Sequence, residues 1–135
     1  MTRKKTSQTE KTADRLLTEV ELELMRIIWA KSDVTVRDVV DALPENRELA
    51  YTSVATIMKI LEKKKVLSSK KAEHAHTYYP LISREEYEST SLRHLTQNVF
   101  QGDPSSMVMK LLNESSLSND DLQAIKKFLD ERMDS

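Results

Sequence analysis

Apolar residues recur every three or four positions in three stretches of the first 65 residues, which is the spacing of one face of an α-helix. Thr18 and Glu21 have capping-box spacing at the start of the first stretch, and Thr35 and Asp38 have it at the start of the second. The third predicted helix runs from about Tyr51 to Lys65. The apolar positions, in chain order, are Leu17, Val20, Leu24, Ile27 and Ile28, then Val36, Val39, Val40 and Leu43, then Val54, Ile57, Met58 and Leu61.

After the third helix, the helical period gives way to short runs of β-forming residues. Val66 and Leu67 lead into a polar tip at residues 70–74, and a run of Thr and Tyr then ends at Pro80. This pattern predicts a two-stranded hairpin with a basic tip. Three helices followed by such a hairpin is the element order of a winged helix-turn-helix, in which the third helix enters the DNA major groove and the hairpin is the wing.

Three further helical patterns follow the hairpin. Ser83 and Glu86 have capping-box spacing before a fourth helix, which is predicted to end near Phe100. Residues 102–104, which include Gly and Pro, are predicted to interrupt the helical structure. The run SSMVMKLLNES then predicts a fifth helix, and Ser118 is the predicted N-cap of a sixth. So short a segment has little interior in which to bury apolar stripes, so a second copy of the chain is expected to cover them. The predicted interface residues are Leu92, Leu95, Val99, Met107, Val108, Leu111, Leu122, Ile125 and Leu129.

These patterns predict a mainly α protein with a flexible arm at residues 1–15, a winged-helix DNA-binding domain at 16–82 and an all-α dimerisation domain at 83–135. A content of 1 Gly and 3 Pro is too low for a turn-rich β fold, and 0 Cys excludes disulfides and thiolate metal sites. No apolar run approaches the roughly 18 residues of a membrane span. The basic N-terminus has no apolar stretch behind it, so a cytoplasmic protein that does not enter a membrane is expected.

The net charge of −1 conceals an uneven distribution of charge along the chain. Residues 1–80 carry a net charge of +3 and residues 81–135 carry −4, while residues 49–79 hold 6 Lys against 2 Glu. The third helix has a stripe of hydroxyls and ammoniums without an acid, which favours contact with a negatively charged surface. An ordinary solvated surface helix is the alternative interpretation. The stripe consists of Thr52, Thr56, Lys59 and Lys63.

Four short motifs are distinctive in combination. They are E-x-E-L-M-x-x-x-W at residues 21–29, Y-T-S-V-A-T at 51–56, Y-Y-P at 78–80 and G-D-x-x-S-M-V at 102–108. Over roughly residues 16–133, the chain resembles the penicillinase repressor family, also called BlaI/MecI/CopY. The resemblance implies a dimeric bacterial repressor that binds palindromic operators. The DNA-binding residues that it implies are Tyr51, Thr52, Ser53 and Thr56, with Lys59, Lys63, Lys70 and Lys71 on the phosphate backbone.

The sequence departs from the family pattern at several positions. The third helix has Ile60 where family members often have Arg, and it ends at Lys65 where they often have Gly. The absence of Cys excludes the thiolate copper sensing of one branch. In the β-lactam branch a signalling protease leads to cleavage at an Asn-Phe bond, and the matching position here is Lys110-Leu111. A signalling protease is therefore a further partner that the resemblance implies, with Lys110 and Leu111 as the regulatory cleavage site.

Other chemistries find little support in the sequence. His74 and His76 alternate along a predicted strand and His94 lies far along the chain, so no metal site is expected. A Gly-rich phosphate loop and a nucleophile elbow are both absent, so neither an enzyme nor a cofactor is expected. Two alternatives stay open: a helical adaptor whose Lys-rich face binds an acidic protein, and a winged-helix regulator gated by a small ligand.

Overall fold

The computed structural model describes residues 16–134, so the predicted N-terminal arm lies outside the described residues. The described chain contains six helices and one two-stranded antiparallel sheet, which confirms the mainly α fold class. No helix in this range is long and apolar enough to cross a membrane. The elements are α1 Glu19–Lys31, α2 Val36–Ala42, α3 Tyr51–Lys63, β1 Leu67–Lys71, β2 His76–Pro80, α4 Arg84–Asn98, α5 Pro104–Glu114 and α6 Asn119–Met133.

Both predicted capping boxes at the start of the chain are present. The Thr18 hydroxyl accepts a hydrogen bond from the Glu21 backbone N–H at 3.2 Å, and the Thr18 N–H donates to the Glu21 carboxylate at 2.9 Å. Thr35 and Asp38 make the same reciprocal pair at 3.1 and 2.9 Å before α2. Each box satisfies two backbone donors that a helix start leaves unpaired, which fixes where α1 and α2 begin.

The core of the first unit forms where α1, α2 and α3 pack together and against the hairpin. The residues at its centre come from the apolar positions of the three helical patterns and from β1 and β2. Val34, in the loop between α1 and α2, adds an antiparallel bridge to Tyr78, with N–H···O distances of 2.9 and 2.7 Å. The sequence indicated only a turn there. The buried core residues are Leu24, Met25, Ile28, Val34, Val36, Val39, Val54, Met58, Leu61, Val66, Leu67 and Tyr78.

Helix α3 ends in a Schellman motif that places a lysine in the left-handed region. Lys65 has φ 69°. Its N–H donates to the Glu62 carbonyl at 3.0 Å, and the Val66 N–H donates to the Leu61 carbonyl at 3.0 Å. Leu61 and Val66, both buried, supply the hydrophobic contact that accompanies the motif. The chain therefore has a left-handed cap at Lys65, where glycine would be unstrained, and the cap comes at the cost of backbone strain.

A two-stranded hairpin forms as predicted, but the predicted basic tip is wrong because Lys70 and Lys71 lie in β1 and not in the turn. Strands β1 and β2 pair in the register Leu67↔Pro80 through Lys71↔His76, which leaves residues 72–75 as the turn. The Ala72 N–H donates to the Ala75 carbonyl at 2.7 Å across that turn. His74 thus lies in the turn and not on a strand, whereas His76 begins β2.

The chain divides into two compact units at His94 and Leu95, twelve positions later than the boundary predicted after residue 82. The start of α4 belongs to the first unit because its side chains pack there. The Tyr87 hydroxyl accepts a hydrogen bond from the Leu17 N–H at 3.0 Å, and the Tyr87 ring centre lies 5.9 Å from that of Trp29. The sequence pattern of α4 does not predict that its start belongs to the first unit, because the contact depends on one buried aromatic residue, Tyr87.

The second unit contains the end of α4 together with α5 and α6. Helix α4 ends at Asn98, two residues before the predicted end. Gly102 follows with φ 80°, and its N–H donates a hydrogen bond to the Thr96 carbonyl at 2.8 Å. Asp103 caps α5, and Ser118 and Asp121 form a capping box at α6. Neither α5 nor α6 has a buried residue within the described structure. Their apolar stripes are therefore exposed in a single copy of the chain.

Candidate nucleic-acid interface

Helix α3 has one face in the core and one face in solvent. Val54, Met58 and Leu61 are fully buried on the inner side. The outer side lacks acidic residues, and its hydroxyls, ammoniums and single apolar side chain are all exposed. These outer residues are Thr52, Ser53, Thr56, Lys59, Ile60 and Lys63. The structure thus brings together on one surface five of the six α3 residues that were predicted to bind DNA. The sixth, Tyr51, is exposed at the start of the helix, where Arg37 contacts its ring.

The first turn of α3 has no side-chain cap. Its N-cap residue is Ala50, and the Thr52 hydroxyl is not used for capping. The first turn also contains no acidic residue. Unsatisfied N–H groups and the positive end of the helix dipole consequently face outward beside Tyr51, Thr52 and Ser53, which favours a phosphate there.

Arg37 adds a cation to this surface that sequence reasoning missed. Its guanidinium carbon lies 5.0 Å from the centre of the Tyr51 ring, and one of its nitrogens lies 3.9 Å from the Asp41 carboxylate. Both ionic groups are well exposed, so the ion pair contributes little and leaves the guanidinium available. The sequence could have predicted a phosphate contact for Arg37 from its position at the start of α2, just after the Thr35 cap. In this motif the helix before the recognition helix crosses the DNA backbone.

The lysines at the end of α3 are not equivalent. Lys59 and Lys63 are exposed, and neither makes an ion pair within residues 16–134. Lys64 instead lies 2.7 and 2.9 Å from the two carboxylate oxygens of Glu21, which is buried at the start of α1. Burial acts to raise the pKa of Glu21, but the hydrogen bonds from Lys64 and the Thr18 N–H outweigh it and hold that pKa below its ordinary value. Lys64 therefore stabilises the fold and does not add to the DNA-facing charge.

The wing places its two lysines in different surroundings. Lys70 lies 3.4 Å from the Asp33 carboxylate and 5.6 Å from the centre of the Tyr79 ring. Lys71 is exposed and makes no ion pair in the described part of the chain. Ser69 donates a hydrogen bond to Glu62 at 2.6 Å, which joins β1 to α3. A phosphate must therefore compete with Asp33 for Lys70, whereas Lys71 has no such competitor.

The two histidines of the hairpin lie in different surroundings. His76 stacks against Tyr78 with ring centres 4.8 Å apart, and His74 is exposed in the turn. Among the described residues there is no group of three His, Cys, Asp or Glu side chains that could hold a metal ion. The hairpin offers cations and an aromatic stack, which suit a polyanion better than a metal.

The nine residues predicted to form the dimer interface all remain accessible. Met107 and Ile125 are half-buried, and the other seven are exposed, from Leu95 at 41 % to Val99 at 62 %. Met109, Phe128 and Met133, which were not predicted, are exposed at 61 %, 59 % and 81 %. Lys110 pairs with Glu114 at 3.0 Å on the surface of α5, and the Lys110–Leu111 bond lies within that helix.

A sequence model described as penicillinase repressor matches residues 17–131, which covers both units. The chain belongs to the penicillinase repressor family. It is accordingly a DNA-binding transcriptional repressor, and an adaptor role is not favoured.

This repressor has low sequence identity to named repressors and regulators. The methicillin resistance regulatory protein MecI of Mammaliicoccus sciuri is 22 % identical over 116 residues, which cover 86 % of this chain and 94 % of that protein. The transcriptional regulator BlaI of Mycobacterium tuberculosis is 37 % identical over 71 residues, 52 % of this chain and 51 % of that one. A solution structure of Bacillus licheniformis BlaI, as a monomer with a blaP half-operator, is 26 % identical with a TM-score of 0.47, covering 53 % of this chain and 88 % of that one.

Proposed function

We propose that the repressor binds a palindromic operator as a homodimer, with α3 of each copy in the major groove and the hairpin over the neighbouring phosphates. The observation that carries this proposal is the outer face of α3, where exposed hydroxyls and unpaired ammoniums occur without an acid. The free N–H groups of its first turn add a further preference for phosphate. Occupation of the operator would block transcription without any chemical step or cofactor, and this would take place in the cytoplasm.

Some side chains of α3 would recognise the DNA sequence, and others would add affinity without recognising it. Thr52, Ser53 and Thr56 would contact base edges or the adjacent phosphates, with Tyr51 beside them, because the first half of a recognition helix lies deepest in the groove. Each cation on a phosphate adds affinity that falls with salt but carries no sequence information. The proposed phosphate contacts are Arg37, Lys59, Lys63, Lys70 and Lys71.

The exposed apolar stripes of the second unit support dimerisation. Large apolar side chains from α5 and α6 cluster in a segment of about 40 residues, a concentration that usually marks a protein interface. Two copies joined there would place their α3 helices on half-sites about 10 base pairs apart, or a multiple of that distance.

Regulation by a signalling protease remains part of the proposal. The bond between Lys110 and Leu111 lies in the middle of α5, where the backbone is helical and hydrogen-bonded. A protease needs an extended segment, so cleavage there would require local unfolding of α5 first. Because this helix carries part of the proposed dimer interface, cleavage would also separate the copies.

Fluorescence anisotropy tests the proposed function directly. The full chain is titrated onto DNA from upstream of its own gene and onto a scrambled duplex of equal length, at two salt concentrations. We expect binding to the native duplex to be about 10³-fold tighter or better, and both affinities to fall steeply with salt. Equal binding to the two duplexes would contradict operator recognition, and no binding to either would contradict the DNA-contact role of α3.

A further inference from the structure

Ile60 is an apolar side chain in the middle of the polar DNA-facing surface. It is 41 % exposed, while the three apolar residues on the inner side of α3 are fully buried. It follows Thr52 and Thr56 at four-residue intervals, so the three side chains form one row along the outer face. Lys59 precedes it and Lys63 lies one turn further on, and both are exposed.

Exposure alone would not distinguish Ile60, because single exposed apolar residues are common on protein surfaces. Its position does distinguish it. A side chain in this row faces whatever α3 binds, and the other two members of the row carry hydroxyl groups that can donate and accept hydrogen bonds. Isoleucine can neither donate nor accept, so its contribution to binding must come from the burial of apolar surface.

The largest apolar group that the major groove of DNA presents among the base edges is the C5-methyl of thymine, which exceeds the C–H groups of cytosine C5 and purine C8. The remaining base-edge groups there are hydrogen-bond donors or acceptors, which Ile60 would leave without a partner. Thr56, one turn before Ile60, also carries a methyl group. Both residues are β-branched and lose little side-chain freedom on binding because their rotamers are already restricted in a helix.

We propose that Ile60, beside the methyl group of Thr56, recognises a thymine C5-methyl in each operator half-site. This inference rests on the proposed function, since it requires α3 in the major groove. It assigns to one residue a preference for thymine over the other bases, and it makes that preference depend on a methyl group and not on a hydrogen bond.

Uracil in place of thymine tests the assignment, because it removes the methyl group and keeps the hydrogen-bonding pattern of the base edge. An operator is first selected from a random duplex pool with the full-length protein, and its thymines are then replaced one pair of symmetric positions at a time. Burial of one methyl group corresponds to about a fourfold change in affinity. We expect one thymine pair at which replacement weakens binding about fourfold per half-site.

Two variants connect that loss to the residue. Ile60→Ala is expected to bind the thymine and uracil duplexes equally, and Ile60→Val, which keeps two methyl groups, to show an intermediate ratio. Leu81→Ala is the matched control, because Leu81 is 49 % exposed in the same unit but lies outside α3, and it should retain the full ratio. Thermal unfolding should be similar in all of these variants, since the residues are exposed.

The outcomes separate this inference from the proposed function. Specific operator binding with a thymine-to-uracil loss that disappears in Ile60→Ala supports both. Specific binding with no such loss, or with a loss that Ile60→Ala leaves unchanged, overturns the inference and leaves the repressor function intact. Failure to select any specific duplex overturns the proposed function and this inference with it.

Discussion

Lysines that are similar in sequence have different roles at the scale of single residues. The local excess of positive charge at residues 49–79 led to the prediction of a DNA-facing surface, but it counted every Lys equally. Lys64 points to a buried carboxylate and Lys70 to an exposed one, while Lys59 and Lys63 make no ion pair in the described structure. A sequence gives the number of charges, and only the packing shows which are already neutralised.

Thr56 and Lys63 are expected to differ in what they contribute to binding. Thr56→Ala should relax base preference, because in the proposed complex its hydroxyl and methyl groups would face the base edges. Lys63→Ala should weaken binding to all sequences alike and reduce the salt dependence of log K by about 0.9 per half-site, because one phosphate contact is lost. Binding-site selection and salt titration on both variants provide the measurement, and identical preference profiles for the two would contradict the assignment.

The ion pair between Glu21 and Lys64 is expected to make stability depend on pH. Because the folded-state pKa of Glu21 is lowered, the carboxylate stabilises the fold above about pH 4.5, and this contribution is lost as the pH falls through the folded pKa. Glu21→Gln keeps a capping acceptor but removes the charge that Lys64 contacts. We expect a loss of about 1–2 kcal/mol at pH 7 that shrinks in acid.

Glu86→Gln is the matched control for that experiment. Glu86 accepts the Ser83 N–H at 2.8 Å in the same kind of capping box, but it is exposed and no lysine contacts it in the described structure. Urea denaturation between pH 3.5 and 7 should show a change below about 0.5 kcal/mol for this variant. Equal losses in the two variants would assign the effect to the cap and not to the ion pair.

At the scale of elements, helix starts were predicted well and helix ends less well. A capping residue and its acidic partner are adjacent in the chain, so Thr18, Thr35 and Ser118 determine a start locally. A helix end depends on which side chains are buried beyond it. Val66 enters the core after α3 and forces the preceding residue, Lys65, into the left-handed region.

Two substitutions of Lys by Gly in and after α3 are expected to have opposite signs. Lys65→Gly relieves a positive φ and should stabilise the fold by about 1 kcal/mol. Lys59→Gly, in the helix interior, should destabilise it by about 1 kcal/mol. Both remove one exposed ammonium, so chemical denaturation compares the backbone effects alone. A loss of stability in both variants would mean that the Lys65 conformation is not strained.

At the scale of the whole molecule, we expect a second copy of the chain to cover the apolar surface of the second unit. Leu129→Glu places a charge in the proposed dimer interface and should weaken dimerisation by on the order of 100-fold, and operator binding with it. Gln123→Glu, exposed on the same helix but off the apolar stripe, is the control and should stay dimeric. Sedimentation equilibrium measures both. A Leu129→Glu variant that is still dimeric at micromolar concentration would exclude α6 from the interface.

The sequence by itself determined the order of the elements, the caps, the outer face of α3 and the family, because each depends on residues a few positions apart. Only the tertiary structure decided which lysines are neutralised, that Val34 joins the hairpin, that Arg37 stacks on Tyr51, and that Tyr87 brings the start of α4 into the first unit. These contacts join residues far apart in the chain or on different elements. No local period encodes them, because they arise from the way the apolar faces pack.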